Sequence, residues 1–114
     1  MQFLALIHES KNGWESLSED DRQAVMQRYM SFSSKNEVVG GAELEDTGTA
    51  TTVRVRDGDR LVTDGPYAEV KEALGGYFIL ECDSIDDACR LAAEIPAAEH
   101  GAIEVRPVFV GEES

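Results

Sequence analysis

The sequence predicts an α+β fold in which helices cover one face of an antiparallel sheet. Two helical segments with apolar stripes, each preceded by a serine, are separated by short strand-like runs and turns. The chain has 114 residues, a length typical of one domain, and it contains no internal repeat or linker. We therefore expect residues 1–114 to form a single domain.

The first third of the chain predicts a strand, a loop and a helix. Residues 2–8 are a mostly apolar run, and residues 9–17 are typical of a loop. Ser18 and Asp21 have capping-box spacing, and acidic residues occupy the first turn, where the helix dipole favours negative charge. The helix is expected to fade near Asn36. Its core-facing stripe consists of Val25, Tyr29 and Phe32.

The middle of the chain predicts a strand with a glycine break, a hairpin and a short helical segment. The broken strand covers residues 38–44, and the hairpin strands cover residues 50–56 and 60–63. The Asp-Gly pair between the hairpin strands is a turn signal, although the register stays open between a two-residue and a three-residue loop. Residues 67–74 are expected to form one or two helical turns.

The last third predicts a strand, a capped helix and a final strand. The strands cover residues 76–82 and 102–110, Ser84 caps the helix and Pro96 ends it. The apolar face of this helix consists of Ile85, Ala88, Leu91, Ala92 and Ile95. The acidic tail, residues 111–114, is expected to fray. The order β-α-β-(β-hairpin)-β-α-β is that of a ferredoxin-like split βαβ sandwich with an inserted β-hairpin.

The strands predict a second apolar face that two helices cannot cover. A solvated face would be polar at every second residue, yet residues 2–7 and 77–80 place apolar side chains on both faces. A second copy of the sheet would cover this face, giving a homodimer whose sheets pack together as a dimeric α/β barrel. The alternative is that the central hairpin folds over the face.

Composition excludes several classes of function. The chain carries 23 acidic and 10 basic side chains, a net charge of -13, which disfavours binding to nucleic acid or to anionic membranes. No signal peptide or membrane-length apolar run is present, so we expect a cytoplasmic protein. Cys82 and Cys89 form no CxxC pair and are expected to be reduced core thiols. No metal-ligand cluster or nucleotide-binding motif is present, so we expect no metal and no cofactor.

A motif in the middle of the chain resembles a known family. Residues 51–58 (TTVRVRDG), 62–69 (VTDGPYAE), 71–72 (KE) and 74–77 (LGGY) are similar to the DGPF-type branch of the YCII-related proteins. Tyr67 stands where that motif usually has Phe. The likeness extends over nearly the whole chain and includes the opening strand, Trp14, Tyr29 and the closing EVRPV at residues 104–108.

The resemblance implies a dimeric α+β barrel, in agreement with the two-faced strands. It also implies a link to sigma-factor systems, since such proteins are often encoded beside extracytoplasmic-function sigma factors. The wider superfamily includes a dehydrochlorinase that acts on a chlorinated hydroxyhydroquinone, and its pocket His and Asp imply enzymatic activity. This chain has no histidine in the first helix to match that pocket His, so the mechanism does not transfer.

Asp64 and His8 are the candidate catalytic residues, each with a plainer alternative. Asp64 follows a strand and precedes Gly65-Pro66, so it could act as a general base at the mouth of the barrel. Its alternative role is to accept backbone N–H groups of the following turn. His8 ends the first strand, and histidine as a residue type can exchange protons near neutral pH, so it could pass protons. Its alternative is an ordinary hydrogen-bonded or solvent-facing histidine.

The candidate substrate-binding residues are Tyr67, Lys71, Trp14 and Arg54. On a helical turn Tyr67 and Lys71 would share one face beside Asp64, or would belong to a solvated charged turn. Arg54 lies on one side of the hairpin and could bind an anion or pair with surplus acids. Trp14 could cover a pocket or anchor its loop.

Two functions follow from these residues. The first is a small-molecule enzyme, or an enzyme-like pocket protein, that uses Asp and His for proton chemistry. The second is a non-catalytic ligand-binding or regulatory module linked to a sigma-factor system. Residues 51–80 hold 4 basic and 5 acidic side chains, and this nearly neutral stretch is where we expect the ligand.

Overall fold

The computed structural model describes the backbone of residues 1–111, and the side chains of these residues except 11 and 12. The strands are β1 (Gln2–Glu9), β2 (Val38–Glu43), β3 (Thr51–Arg56), β4 (Asp59–Asp64), β5 (Ala73–Glu81) and β6 (Ala102–Pro107). The α-helices are α1 (Lys11–Glu15), α2 (Glu19–Ser33) and α3 (Ile85–Ala92), and short 3₁₀ helices cover Thr47–Thr49 and Pro96–Glu99.

Four strands form one antiparallel sheet in the order β2-β5-β1-β6, with β3 and β4 paired separately. This order is the ferredoxin-like one, so the predicted α+β fold with an inserted hairpin is confirmed. One continuous core forms beneath the helices. Its fully buried members include Phe3 and Ala5 of β1, Phe32 of α2, Leu80 of β5 and Ile95.

Both predicted serine caps are present. The Ser18 hydroxyl accepts the backbone N–H of Asp21 at 3.1 Å, and the Ser84 hydroxyl accepts that of Asp87 at 3.2 Å. Each cap satisfies an N–H group that would otherwise lack a partner at the start of the helix. The apolar face of α3 is buried as expected, except that Ile85 remains 42% exposed.

Three local expectations were wrong. Residues 67–74 form no helix, since so short a segment needs an apolar face to pack and both Tyr67 and Val70 are exposed. The expected loop after β1 contains α1. Cys89 is exposed rather than buried, because it lies off the buried stripe of α3, while Cys82 is partly buried against the core.

The hairpin of β3 and β4, residues 51–64, is called the arm here, and the four-stranded sheet with its helices is called the body. The arm has a two-residue turn, in which Asp57 (φ 52°) and Gly58 (φ 81°) both adopt left-handed conformations, so the open register is settled. Within the described chain, β3 and β4 pack extensively only on each other. The radius of gyration, 16.4 Å, exceeds the roughly 13 Å expected of a compact chain of this length, because the arm projects from the body.

The arm therefore does not fold over the outer face of the sheet, the face opposite the helices. That face is lined at its centre by Leu4, Leu6, Tyr77 and Ile79, which are partly buried. No helix among residues 1–111 is long and apolar enough to cross a membrane. Of the tail that was expected to fray, residues 112–114 lie outside the described residues.

Candidate functional site

A cavity of about 640 Å³ opens between α2 and the β2 edge of the sheet, on the helix-covered face. Met26, Tyr29 and Ser33 of α2 line one side, because their spacing of three and four residues places them on one helical face. The opposite side is formed by the ends of β1, β2 and β5. The loop after β2 and the segment before β5 form the rim.

Glycine lets β2 and β5 approach closely beside the cavity. A Cβ atom on Gly41 would lie 2.5 Å from the carbonyl oxygen of Tyr77, and one on Gly76 would lie 2.9 Å from that of Ala42. Such distances exclude any side chain without a shift of the backbone. The strand pair next to the cavity therefore requires glycine at both positions, which explains the glycine break that the sequence predicted.

Trp14 of α1 lines the cavity, and Arg22 of α2 contacts both its ring and its backbone. The Arg22 guanidinium lies 5.7 Å from the centre of the indole ring, within the range of a cation–π interaction. It also donates hydrogen bonds to the carbonyl oxygens of Trp14, at 3.2 Å, and Glu15, at 3.1 Å. These carbonyls lie at the end of a one-turn helix, where the Trp14 carbonyl also accepts the N–H of Leu17 at 3.1 Å, so Arg22 adds to the hydrogen bonds that terminate α1.

Two carboxylates enter the cavity from strand ends. Glu9 follows Phe3, Ala5 and Ile7 on the helix-covered face of β1, and Glu43 lies opposite Gly76 on the same face. A Glu9 oxygen lies 3.1 Å from Nε2 of His100, which belongs to the turn before β6. Glu9 is about two-thirds buried, whereas His100 is about half exposed, so the pair connects the cavity wall with solvent.

Tyr29 is the polar member of the α2 stripe. Burial raises the pKa of its phenol to about 12, and the negative charges of Glu9 and Glu43 act in the same direction. The phenol therefore stays protonated at neutral pH and can donate as well as accept a hydrogen bond. Its ring packs against Phe78, with the ring centres 6.4 Å apart.

Of the six residues predicted for the site, the cavity brings together Trp14 and Lys71. Trp14 combines both roles considered for it, since it lines the cavity and its backbone is anchored to α2. Lys71 lies in the segment between the arm and β5. This segment lacks the predicted helix, so Tyr67 and Lys71 do not share a helical face, and Tyr67 is 81% exposed outside the cavity.

Asp64, His8 and Arg54 lie outside this cavity. Asp64 ends β4 and is exposed, and none of the described residues donates a hydrogen bond to its carboxylate. The turn after it is held instead by Gly65, whose N–H donates to Ala50 at 2.7 Å. His8 lies on the outer face of the sheet, 3.1 Å from a Glu104 oxygen. Arg54 is exposed on the arm. Catalysis by Asp64 and His8 remains a prediction.

Sequence reasoning missed Glu9, Glu43 and Tyr29 as site residues. A signal for Glu9 was available, since it continues the alternation of buried residues along β1 and brings a charge to the core side of the strand. Tyr29 was assigned to core packing, although it is the one hydroxyl in that stripe. The position of Glu43 depends on the register of β2 against β5. A bulge between Val38 and Gly40 shifts that register, and no local sequence pattern predicts the bulge.

The polar side chains that line the cavity include carboxylates, the Tyr29 phenol, aliphatic hydroxyls and the Lys71 ammonium group. Among the described residues, no three His, Cys, Asp or Glu side chains lie close enough together to hold a metal ion. The cavity is thus built of apolar walls with a few convergent polar groups, which is the usual character of a site for a small organic molecule.

Comparison with known proteins gives two findings. The family model described as YCII-related domain matches residues 1–111. An uncharacterized protein of Rhizobium meliloti (strain 1021) is 37% identical over 90 residues, covering 77% of this chain and 70% of that protein. The family match covers all of the described residues, including every element that lines the cavity.

Proposed function

The chain belongs to the YCII-related family, and on that premise we propose that it binds a small organic molecule in the cavity between α2 and the sheet. The observation that carries the proposal is the cavity itself, about 640 Å³ with aromatic walls and polar groups at one end. This volume lies within the range of roughly 300–1,000 Å³ found for ligand sites. Trp14, Tyr29 and Phe78 supply apolar contact, and the carboxylates of Glu9 and Glu43 orient the bound molecule through its polar groups.

Filling the cavity tests the proposal. Ala73 lines it, so Ala73→Phe would occupy part of the space, while Ala68→Phe adds the same group at an exposed position outside it. Trp14 is the single tryptophan of the chain, and its fluorescence reports on the cavity wall. We expect members of a panel of small aromatic compounds to give saturable changes with the wild type and with Ala68→Phe, but not with Ala73→Phe. Absence of saturable binding to the wild type would contradict the proposal.

A catalytic form of the proposal is favoured by the Glu9–His100 pair. Glu9 lines the cavity and could take a proton from a bound molecule, while His100 could exchange that proton with solvent. We propose Glu9 and His100 as the acid–base pair of this cavity, and catalysis by Asp64 and His8, which lie outside it, stays a separate prediction. Glu9→Gln should then abolish turnover of a bound compound while retaining its binding. Unchanged turnover in that variant would overturn the role of Glu9. Binding with no turnover by the wild type would leave the function of a ligand sensor or regulatory module.

We also propose that the protein is a homodimer joined through the outer face of the sheet. Leu4, Leu6, Tyr77 and Ile79 present an apolar strip there, and the arm, which was the alternative cover, projects away. A second copy of the same face would remove this strip from water, as in an obligate interface.

Two matched charge substitutions test this assembly. Leu6→Asp introduces a charge into the strip, and Leu61→Asp makes the same change on the arm, where Leu61 is 47% exposed. We expect light scattering to give the mass of two chains for the wild type and for Leu61→Asp, and of one chain for Leu6→Asp. A monomeric wild type would overturn the proposal. Loss of the dimer in Leu61→Asp but not in Leu6→Asp would also overturn it, because the interface would then lie on the arm.

A further inference from the structure

The ionisable groups that line the cavity are predominantly acidic. Glu9 and Glu43 lie at the strand ends, and Glu45 lies on the rim loop. Among the described residues lining the cavity, Lys71 carries the one positive charge. Negative charges are therefore in excess among the described residues of the lining. A cation entering the cavity would therefore be attracted and an anion repelled.

The walls of the cavity also suit a cation with an apolar body. Trp14, Tyr29 and Phe78 all contribute, and the faces of aromatic rings attract organic cations. Trp14 already has the guanidinium of Arg22 stacked near its ring. An apolar group attached to the cation would bury its surface against the remaining wall, which includes Met26 and Val70.

The Tyr29 phenol, which is one of the uncharged polar groups of the cavity, agrees with this arrangement. The Tyr29 phenol remains protonated next to two carboxylates, so it adds a hydrogen-bonding hydroxyl without adding a charge. An ammonium group can donate to the carboxylates and to the phenol oxygen together. A carboxylate or phosphate could accept from the phenol and from Lys71, but it would face the more numerous acidic side chains.

From these features we infer that the cavity takes a primary or substituted amine carried on an aromatic or alkyl group. This inference rests on the proposed small-molecule site and specifies its ligand class. The net charge of -13 extends the same preference to longer range, because it raises the local concentration of cations around the protein.

Three compounds of nearly equal shape separate the charge from the apolar contact. Phenethylamine is cationic at neutral pH, phenethyl alcohol is uncharged and hydrocinnamate is anionic. Trp14 fluorescence follows the binding of each to the full chain at low and at raised salt. We expect the amine to bind about tenfold more tightly than the alcohol, and the anion to bind more weakly than either. Raised salt should reduce the difference in affinity between the amine and the alcohol, since salt screens exposed charges.

Two variants with the same net charge test whether the preference for the amine comes from the cavity. Glu43→Gln removes a carboxylate from the cavity, whereas Glu37→Gln removes one at an exposed position outside it. We expect Glu43→Gln to weaken binding of the amine by about threefold or more and to leave the alcohol within about twofold. Glu37→Gln should leave both unchanged.

Each outcome decides one of the two proposals. Saturable binding of all three compounds with equal affinity would overturn the cation preference and leave the small-molecule site standing. Equal weakening of the amine by Glu37→Gln and Glu43→Gln would also overturn it, because the effect would then come from net charge alone. If none of the three compounds binds saturably, the cation preference is overturned. If no member of the wider aromatic panel binds saturably either, the proposed site itself is overturned.

Discussion

The arm and the body contain similar strands but are stabilised in different ways. In β1 of the body every second residue is buried, and Phe3 and Ala5 are at most 1% exposed. In the arm no residue of either strand is buried, and the facing residues Val53 and Val62 are 59% and 55% exposed. An isolated hairpin is at best marginally stable in water. The arm thus depends on its turn and its β-branched residues, whereas the body depends on contacts between distant parts of the chain.

The largest expected difference concerns removal of an apolar side chain. Phe32 is 2% exposed and packs edge-on against Phe78, with ring centres 4.9 Å apart. Phe32→Ala should lower the free energy of unfolding by about 3–5 kcal/mol through lost burial and a new cavity. Val53→Ala on the arm should lower it by less than about 1 kcal/mol. Denaturant unfolding monitored by circular dichroism measures both.

A comparable loss in the two variants would contradict this contrast. It would mean that the valines of the arm are buried in solution, for example against another chain. Repeating the Val53→Ala measurement at several protein concentrations distinguishes the two cases, since burial in an assembly makes stability depend on concentration.

Glycine gives the second contrast. Gly41 of the body has φ +153°, and a Cβ there would lie 2.5 Å from a backbone oxygen of β5. Gly58 of the arm has φ +81° but no atom within 4 Å of the same position. Gly41→Ala should therefore cost about 2–4 kcal/mol, because the backbone must move in addition to being strained. Gly58→Ala should cost about 1–2 kcal/mol, from the left-handed conformation alone.

Denaturant unfolding of the two alanine variants tests this contrast. Amide hydrogen exchange then locates the damage, which should lie in β2 and β5 for Gly41→Ala and in the arm turn for Gly58→Ala. Equal costs in the two variants would show that strain at the glycine, and not the close approach of β2 to β5, limits stability.

The same division explains what the sequence could predict. The arm turn, the two serine caps and the buried face of α3 depend on neighbouring residues, and local patterns predicted them. The β order followed from the sequence of elements. Residues 67–74 were predicted as helix because glycines follow them, but Gly75 and Gly76 lie inside β5, where pairing with β1 and β2 overrides the local signal.

The candidate site was less predictable because it is assembled from distant residues. Glu9, Tyr29 and Glu43 meet only through the pairing of β5 with β1 and β2 and the packing of α2 over the sheet. The emphasis on Asp64 came from a motif, and that motif belongs to the end of the arm. Lys71 was predicted on a helical face that does not form, and it lines the cavity because it lies in the segment that returns from the arm to the body.

The smallest expected effect is a pH dependence that belongs to the body. Burial raises the pKa of Tyr29 from 10.0 to about 12, and Glu9 contributes the next largest part of the shift. The folded protein therefore holds this proton more tightly than the unfolded chain, so the stability it provides is complete below pH 10 and is lost as the pH rises to about 12. Tyr29→Phe should remove this contribution to the decline of the free energy of unfolding with rising pH.

Difference absorbance of tyrosinate between the wild type and Tyr29→Phe measures the titration of Tyr29 alone. We expect a midpoint near pH 12 in the wild type and a lower midpoint in Glu9→Gln, because that variant lacks a negative charge that opposes ionisation. Glu37→Gln, which removes an equal charge away from the cavity, should leave the midpoint in place. A midpoint near 10 in the wild type would mean that the phenol is hydrated and that water reaches the inner wall of the cavity. The cavity would then resemble the arm in its exposure to solvent, and the contrast between body and arm would hold only for the apolar core around Phe32.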